Sequence, residues 1–188
     1  MTSAAARIDQ TWEQLRDPSH RRHSAQRERV LWIAKHVVGS RVLEVGCGGG
    51  GVTNVLVEVP GVEIVVAIDV DAQATRLAHS RLKKRSNLIV ATQDLTSLST
   101  SPDTYDTVVC TEVLEHLKDP AKAVRILRLK CEEGGHLIAG VPNGGGTSAN
   151  HLHSFNKETF TKLLEGSGFT VTKMEVVHCW LHATARPK

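Results

Sequence analysis

Apolar residues recur along this chain in two registers. From Arg41 onward, short runs rich in Val, Ile and Leu alternate with segments whose apolar positions repeat at helical spacing. The runs at 41–45, 63–68, 88–91, 105–110 and 136–141 are short and almost wholly apolar, which predicts strands buried on both faces. The segments 53–59, 72–84 and 120–130 predict the helices between them. A last helix is expected over 157–167, followed by strands at 169–177 and 181–185 with no helix between them. Right-handed crossovers then give an α/β fold, a doubly wound seven-stranded Rossmann-like sheet. An antiparallel C-terminal hairpin closes one edge. Upstream, Ser24 caps a predicted helix reaching about residue 38, with Val30, Leu31, Ile33, Ala34, Val37 and Val38 on its apolar face, and Gly39 ends it. The organisation expected is a helical cap segment over 1–38 and one larger domain over 39–188.

Composition narrows the picture. The chain has 188 residues, 40% of them apolar, which suits one globular domain. Aromatics are only 4%, so the core is built from Val, Ile, Leu and Ala. A net charge of +3 is too small to argue for nucleic acid. The basic cluster from Arg16 to Arg29 reads as the solvated face of a helix. No apolar run approaches the ~20 residues that cross a bilayer, and no signal-peptide pattern opens the chain. Cys47, Cys110, Cys131 and Cys179 have neither disulfide nor zinc spacing, so a reducing cytoplasm is the expected compartment.

The chemistry begins where the first strand runs into Leu43-Glu44-Val45-Gly46-Cys47-Gly48-Gly49-Gly50-Gly51. Glycines there let a ligand approach the main chain, at the carboxyl end of a strand where open α/β sheets bind ligands. Glu44 sits two positions before the first glycine. A carboxylate there repels a pyrophosphate and attracts an ammonium or sulfonium group, which argues against a nicotinamide dinucleotide. The second strand ends at Asp69-Val70, 18 residues beyond Gly51, placing a carboxylate to accept from both hydroxyls of a ribose. Gln93-Asp94-Leu95, after the third strand, is placed to read an adenine edge.

These residues, with the strand Tyr105-Asp106-Thr107-Val108-Val109-Cys110, resemble the class I S-adenosylmethionine-dependent methyltransferases over residues 41–186. The resemblance implies S-adenosylmethionine as cofactor. It implies that Gly46 and Gly48 touch its methionine part and that Glu44 anchors that end. Asp69, followed by Val70, holds the ribose, Asp94 with Leu95 holds the adenine, and Thr111 lines the methionine side.

After the fourth strand, Glu112, Glu115 and His116 stand at i, i+3 and i+4, which puts them on one face if the segment is helical. His116 is the candidate general base, with Glu112 and Glu115 orienting the substrate. The site is expected to work without a metal. The alternative is a divalent cation held by Glu112, Glu115, His116 and His153, the last from the segment Asn150-His151-Leu152-His153-Ser154-Phe155. That set resembles the metal-dependent RNA 3′-end 2′-O-methyltransferases. The segment also resembles small-molecule methyltransferases such as the ubiquinone-pathway O-methyltransferases. Three readings stay open: methyl transfer to O, N or C of a small-molecule acceptor, methylation of an RNA end, and a cofactor-binding partner subunit without activity.

Overall fold

Side chains alternate across each strand, and in the central strands at 41–45 and 105–111 both alternating sets are buried, so the middle of the sheet is covered on both faces. The run at 88–91, expected to be buried on both faces, lies at the sheet edge and leaves Ile89 exposed. The computed structural model describes residues 23–144 and 150–188. Its sheet comprises β1 (Arg41–Val45), β2 (Ile64–Asp69), β3 (Leu88–Thr92), β4 (Tyr105–Thr111), β5 (Cys131–Pro142), β6 (Phe169–Val177) and β7 (Trp180–Pro187). The helices are α1 (His23–Lys35), α2 (Thr53–Leu56), α3 (Ala72–Leu82), α4 (Pro120–Lys130) and α5 (Lys157–Gly166). Strand order is β3-β2-β1-β4-β5-β7-β6. The first five strands pair in parallel, and β7 inserts antiparallel between β5 and β6. This is the doubly wound sheet with a C-terminal hairpin that the pattern predicts.

Leu43, Val45, Val108, Cys110, Leu137 and Ala139 point into one core layer, beneath Leu127 of α4 and Phe160 and Leu164 of α5. Val42, Val65, Val109 and Ile138 point into the other, beneath Val55 and Leu56 of α2 and Val30, Ile33 and Ala34 of α1. Helix α1 is thus part of the core of the sheet domain. The rest of the expected cap, with Trp12 and the cluster from Arg16 to Arg22, lies outside the described residues.

Local chemistry sets the helix starts. Asp71 accepts from Gln73 N at 2.7 Å to cap α3, and Asp119 accepts from Lys122 N at 2.8 Å to cap α4, whose first turn carries Pro120. Asn156 and Thr159 form a capping box on α5. Two elements differ from expectation. Helix α2 stops at Leu56 and continues as turns. Strand β5 starts at Cys131, which pairs with Tyr105, and the register then shifts so that His136 pairs with Thr107, leaving residues 132–135 as an irregularity in the ladder.

Two side chains of β4 fasten the turn after α1 to the sheet. Thr107 Oγ1 accepts from Val38 N and donates to Val38 O at 2.6 Å, while Asp106 Oδ2 accepts from Ser40 N and Arg41 N, both at 2.8 Å. Gly39, with φ +70°, makes the turn, and a Cβ there would collide with the Asp106 side chain. Gly61 has φ +88° but open space around it. Gly61→Ala is therefore expected to cost about 1 kcal/mol from backbone strain alone. Gly39→Ala is expected to cost about 3 kcal/mol or more, since it adds a clash and misplaces the Asp106 carboxylate. Urea titration of the two variants side by side checks the difference.

Candidate functional site

The order of the sheet reverses at β1, whose neighbours are β2 and β4. The two crossovers leave in opposite directions and open a crevice at the carboxyl ends of these strands. The glycine turn fills the floor of that crevice. Gly46, Gly48 and Gly50 have φ of +79°, +52° and +85°, conformations that side chains resist. Gly46 N and Cys47 N donate to Ile68 O at 2.8 and 3.0 Å. Gly48 N donates to Asp69 Oδ2 at 2.8 Å, and Asp71 N donates to Asp69 Oδ1 at 2.9 Å. Each Asp69 oxygen accepts one such bond and keeps a further lone pair. A Cβ on Gly46 would collide with Val113, whereas nothing lies within 4 Å of the Cβ position at Gly48.

Above the turn lies a cleft of about 690 Å³. Gly46, Gly48, Asp69, Val70, Asp94 and Leu95 line one part of it, as the sequence predicts. Asp94 caps the 3-10 turn that follows β3. It accepts from Thr96 Oγ1 and Thr96 N, both at 2.6 Å, and these bonds hold its carboxyl below the usual range. Glu112 and His116 line the opposite part, with Val113 and Leu117 between them. Gln93, from the segment placed to read the adenine edge, also lines the cleft, as do Val113 and Lys122, which were not among the predicted site residues. The signal of these two was position alone, directly after β4 and at the start of α4.

Other predicted residues sit elsewhere. Glu44 and Thr111 are buried beneath the cleft and do not line it. Glu44 accepts from Thr53 Oγ1 at 2.6 Å, and burial pushes its pKa up to about 7 against the pull of that bond. Glu112, Glu115 and His116 do not share a helix face. Glu112 has φ +61° and precedes a 3-10 turn spanning Leu114–His116, too short for the i, i+4 register. His116 turns to the cleft, while Glu115 turns inward and is 1% exposed. Neither Glu115 carboxylate oxygen has a hydrogen-bond partner among the described residues, nor does Glu112 Oε1, although Glu115 Oε1 lies 3.9 Å from His116 Nε2. Burial pushes the Glu115 pKa up to about 7.

Arg29 departs furthest from expectation. It is a buried side chain of α1, not a member of a solvated face. Its guanidinium stacks 5.3 Å from the Trp180 ring and lies within electrostatic reach of Glu112, Glu44 and Glu115. Its Nε and Nη1 have no hydrogen-bond partner among the described residues. In the sequence it is one of several arginines, and only the three-dimensional path of α1 separates it from them.

The segment carrying the later histidines hangs over the same end of the sheet. Glu115 O accepts from Leu152 N at 2.7 Å and from His153 N at 3.2 Å. His116 Nδ1 is 3.0 Å from Asn150 O, and His153 Nε2 is 2.9 Å from Leu117 O. His153 is thereby committed to a carbonyl as a donor and does not join Glu112, Glu115 and His116 in a ligand set. Among the described residues, the groups whose ligand atoms lie within 4.8 Å of one another are Glu115, His116 and His151. These are the side chains that could share a cation.

Strand order, glycine turn and the acid ending β2 together define the methyltransferase class of Rossmann-like folds. The chain belongs to the methyltransferase-domain family, whose model matches residues 18–174. It is 30% identical over 121 residues to the ubiquinone biosynthesis O-methyltransferase of Stutzerimonas stutzeri (strain A1501), covering 62% of this chain and 51% of that protein. The same-named protein of Albidiferax ferrireducens is 34% identical over 119 residues, covering 60% and 46%. The chain thus spans about half the length of the curated relatives it matches. Among solved structures, the N-methyltransferase NodS from Bradyrhizobium japonicum WM9 superposes with TM-score 0.72 at 25% identity, over 87% of this chain and 97% of that one. The DhpI–SAH complex shares the fold, with TM-score 0.74 at 21% identity over 99% and 98%.

The buried carboxyls carry a pH prediction. Folded Glu44 keeps its proton up to about pH 7, whereas an ordinary glutamate loses it near 4.5. The stability this contributes is complete below the unfolded pKa and is lost as pH rises through about 7; Glu115 acts in the same direction. The free protein is therefore expected to lose stability between pH 4.5 and about 7. Glu44→Gln is expected to flatten part of that loss, and urea titrations across the window measure it.

Proposed function

We propose that this chain is an S-adenosylmethionine-dependent methyltransferase acting on a small-molecule acceptor. The observation that carries the reading is Asp69, whose carboxylate locks the glycine turn and still offers lone pairs to the cleft. The residues present fit the cofactor. Open space at Gly48 admits a ligand against the main chain, and exposed Val70, with Leu95, supplies apolar surface for a base beside Asp94. Asp69 would hold the ribose hydroxyls, and Glu44 would supply negative charge beneath the methionine end. When bound, the cofactor supplies a methyl group already activated by its sulfonium charge.

The chain's own work is then alignment, exclusion of water and removal of a proton. Asn150 O accepts from His116 Nδ1–H, since a carbonyl cannot donate. The Nε2 lone pair is left free, which suits His116 as the base for an acceptor hydroxyl or amine. Glu115 stands beside the same nitrogen, with Oε1 3.9 Å from Nε2, and Glu112 orients the acceptor from the cleft wall. The curated relatives named for ubiquinone biosynthesis favour a small-molecule acceptor. No helix among the described residues is long and apolar enough to cross a membrane. With Cys47, Cys110, Cys131 and Cys179 all free thiols, we place the protein in the cytoplasm.

Calorimetric titration with S-adenosylhomocysteine tests the cofactor site. Asp69→Ala is expected to weaken binding about a hundredfold, the loss of charge-assisted hydrogen bonds of ~1.5–3 kcal/mol each. Undiminished affinity would contradict the reading. His116→Ala is expected to bind the nucleoside normally and to lower kcat by ~10²–10⁴.

A further inference from the structure

The glycine turn has few side chains with which to brace itself, so its shape depends on what joins its two ends. One join is a bond between side chains. Glu44 stands two positions before Gly46, and Thr53 stands two positions after Gly51. Thr53 Oγ1 donates to Glu44 Oε2 at 2.6 Å, linking residues nine apart in the chain. Both are buried, Thr53 at 0% and Glu44 at 3% exposure, and neither lines the cleft.

The surroundings of Glu44 make that hydroxyl matter. Its partners across the sheet are Ala67 on β2 and Val109 on β4, whose side chains offer no donor. Arg29 of α1 lies within electrostatic reach but is shared with Glu112 and Glu115, and Asp69 of β2 opposes a charge on Glu44. Cys47, in the turn itself, stays a neutral thiol because burial pushes its pKa up to about 12. Among the described residues, Thr53 is the group that donates a hydrogen bond to the Glu44 carboxyl. Such a bond favours the ionised carboxylate against the cost of its burial. Ionised Glu44 attracts the ammonium of a ligand lying over the turn, and protonated Glu44 does not.

We propose that Thr53 is a positioning residue for cofactor binding, its hydroxyl clasping the glycine turn from α2 to β1 and favouring Glu44 as a carboxylate beneath the amino-acid end of the nucleoside. Thr53 acts through Glu44 and touches no ligand. The proposal rests on the methyltransferase reading and adds to it a residue outside the cleft.

The test measures the affinity of the full chain for S-adenosylhomocysteine across pH. Glu44 of the free protein gives up its proton near pH 7, and without the Thr53 bond it keeps that proton to higher pH. Below this point the ligand must displace the proton, so affinity falls as pH falls. The ligand's own titration is common to all variants and cancels between them. Thr53→Val is expected to bind about tenfold more weakly than the wild type near pH 6, with the gap closing to about twofold or less near pH 8.5. Thr53→Ser, which keeps the hydroxyl, is expected to follow the wild type. In a Glu44→Gln background, Thr53→Val is expected to change affinity by less than about twofold. A gap equal at every pH, a gap that persists in the Glu44→Gln background, a Thr53→Ser profile like that of Thr53→Val, or no gap at all would overturn the proposal. Should Thr53→Val lose its cooperative melting transition, Thr53→Ala takes its place with the same expected profile. Failure of the wild type to bind S-adenosylhomocysteine would strike the methyltransferase reading instead, so the two failures are told apart.

Discussion

The hydrogen bond from Gly48 N to Asp69 Oδ2 ties the end of β1 to the end of β2 at the place where the sheet reverses direction. The cleft depends on it. Without a side chain to fill the turn, the glycines gain shape only from what they bond to, and Ile68 O and Asp69 supply those bonds. The same carboxylate that shapes the turn faces the cleft. A substitution at Asp69 therefore removes a ligand contact and a structural strut together, and the turn's glycines tolerate no alternative conformation for free.

Around this joint the charges are layered. Asp69 and Asp94 border the open cleft, Glu112 forms its wall, and Glu44 and Glu115 lie beneath. Arg29, delivered by α1 from the other side of the sheet, is the cation that faces the deeper group. Burial raises Glu44 and Glu115 to about 7, so the layer holds less charge in the free protein than its formula suggests. A cation entering the cleft would draw protons off these acids and strengthen its own site. Binding and protonation are thereby linked through groups that never touch solvent.

Much of this was legible in the sequence because it depends on short-range regularities. Strands announce themselves through β-branched runs, and a glycine turn after a strand followed by an acid after the next strand carries its geometry in its spacing. What was not legible depends on tertiary placement. Arg29 looks like Arg27 in the sequence, and only the packing of Val30 and Ile33 against the sheet turns it inward. Glu112, Glu115 and His116 have helical spacing, but the left-handed residue at 112 and the short 3-10 turn send the two acids in different directions. His151 and His153 are indistinguishable by spacing. The bond from His153 to Leu117 O decides which of them is free to approach His116.

A crystal structure of the chain with S-adenosylhomocysteine tests the account most directly. The prediction is a ribose whose hydroxyls lie within hydrogen-bond distance of Asp69, with the sulfur over the end of β1 on the side of Glu112. A nucleoside bound away from Asp69, or one whose sulfur faces β3, would contradict it.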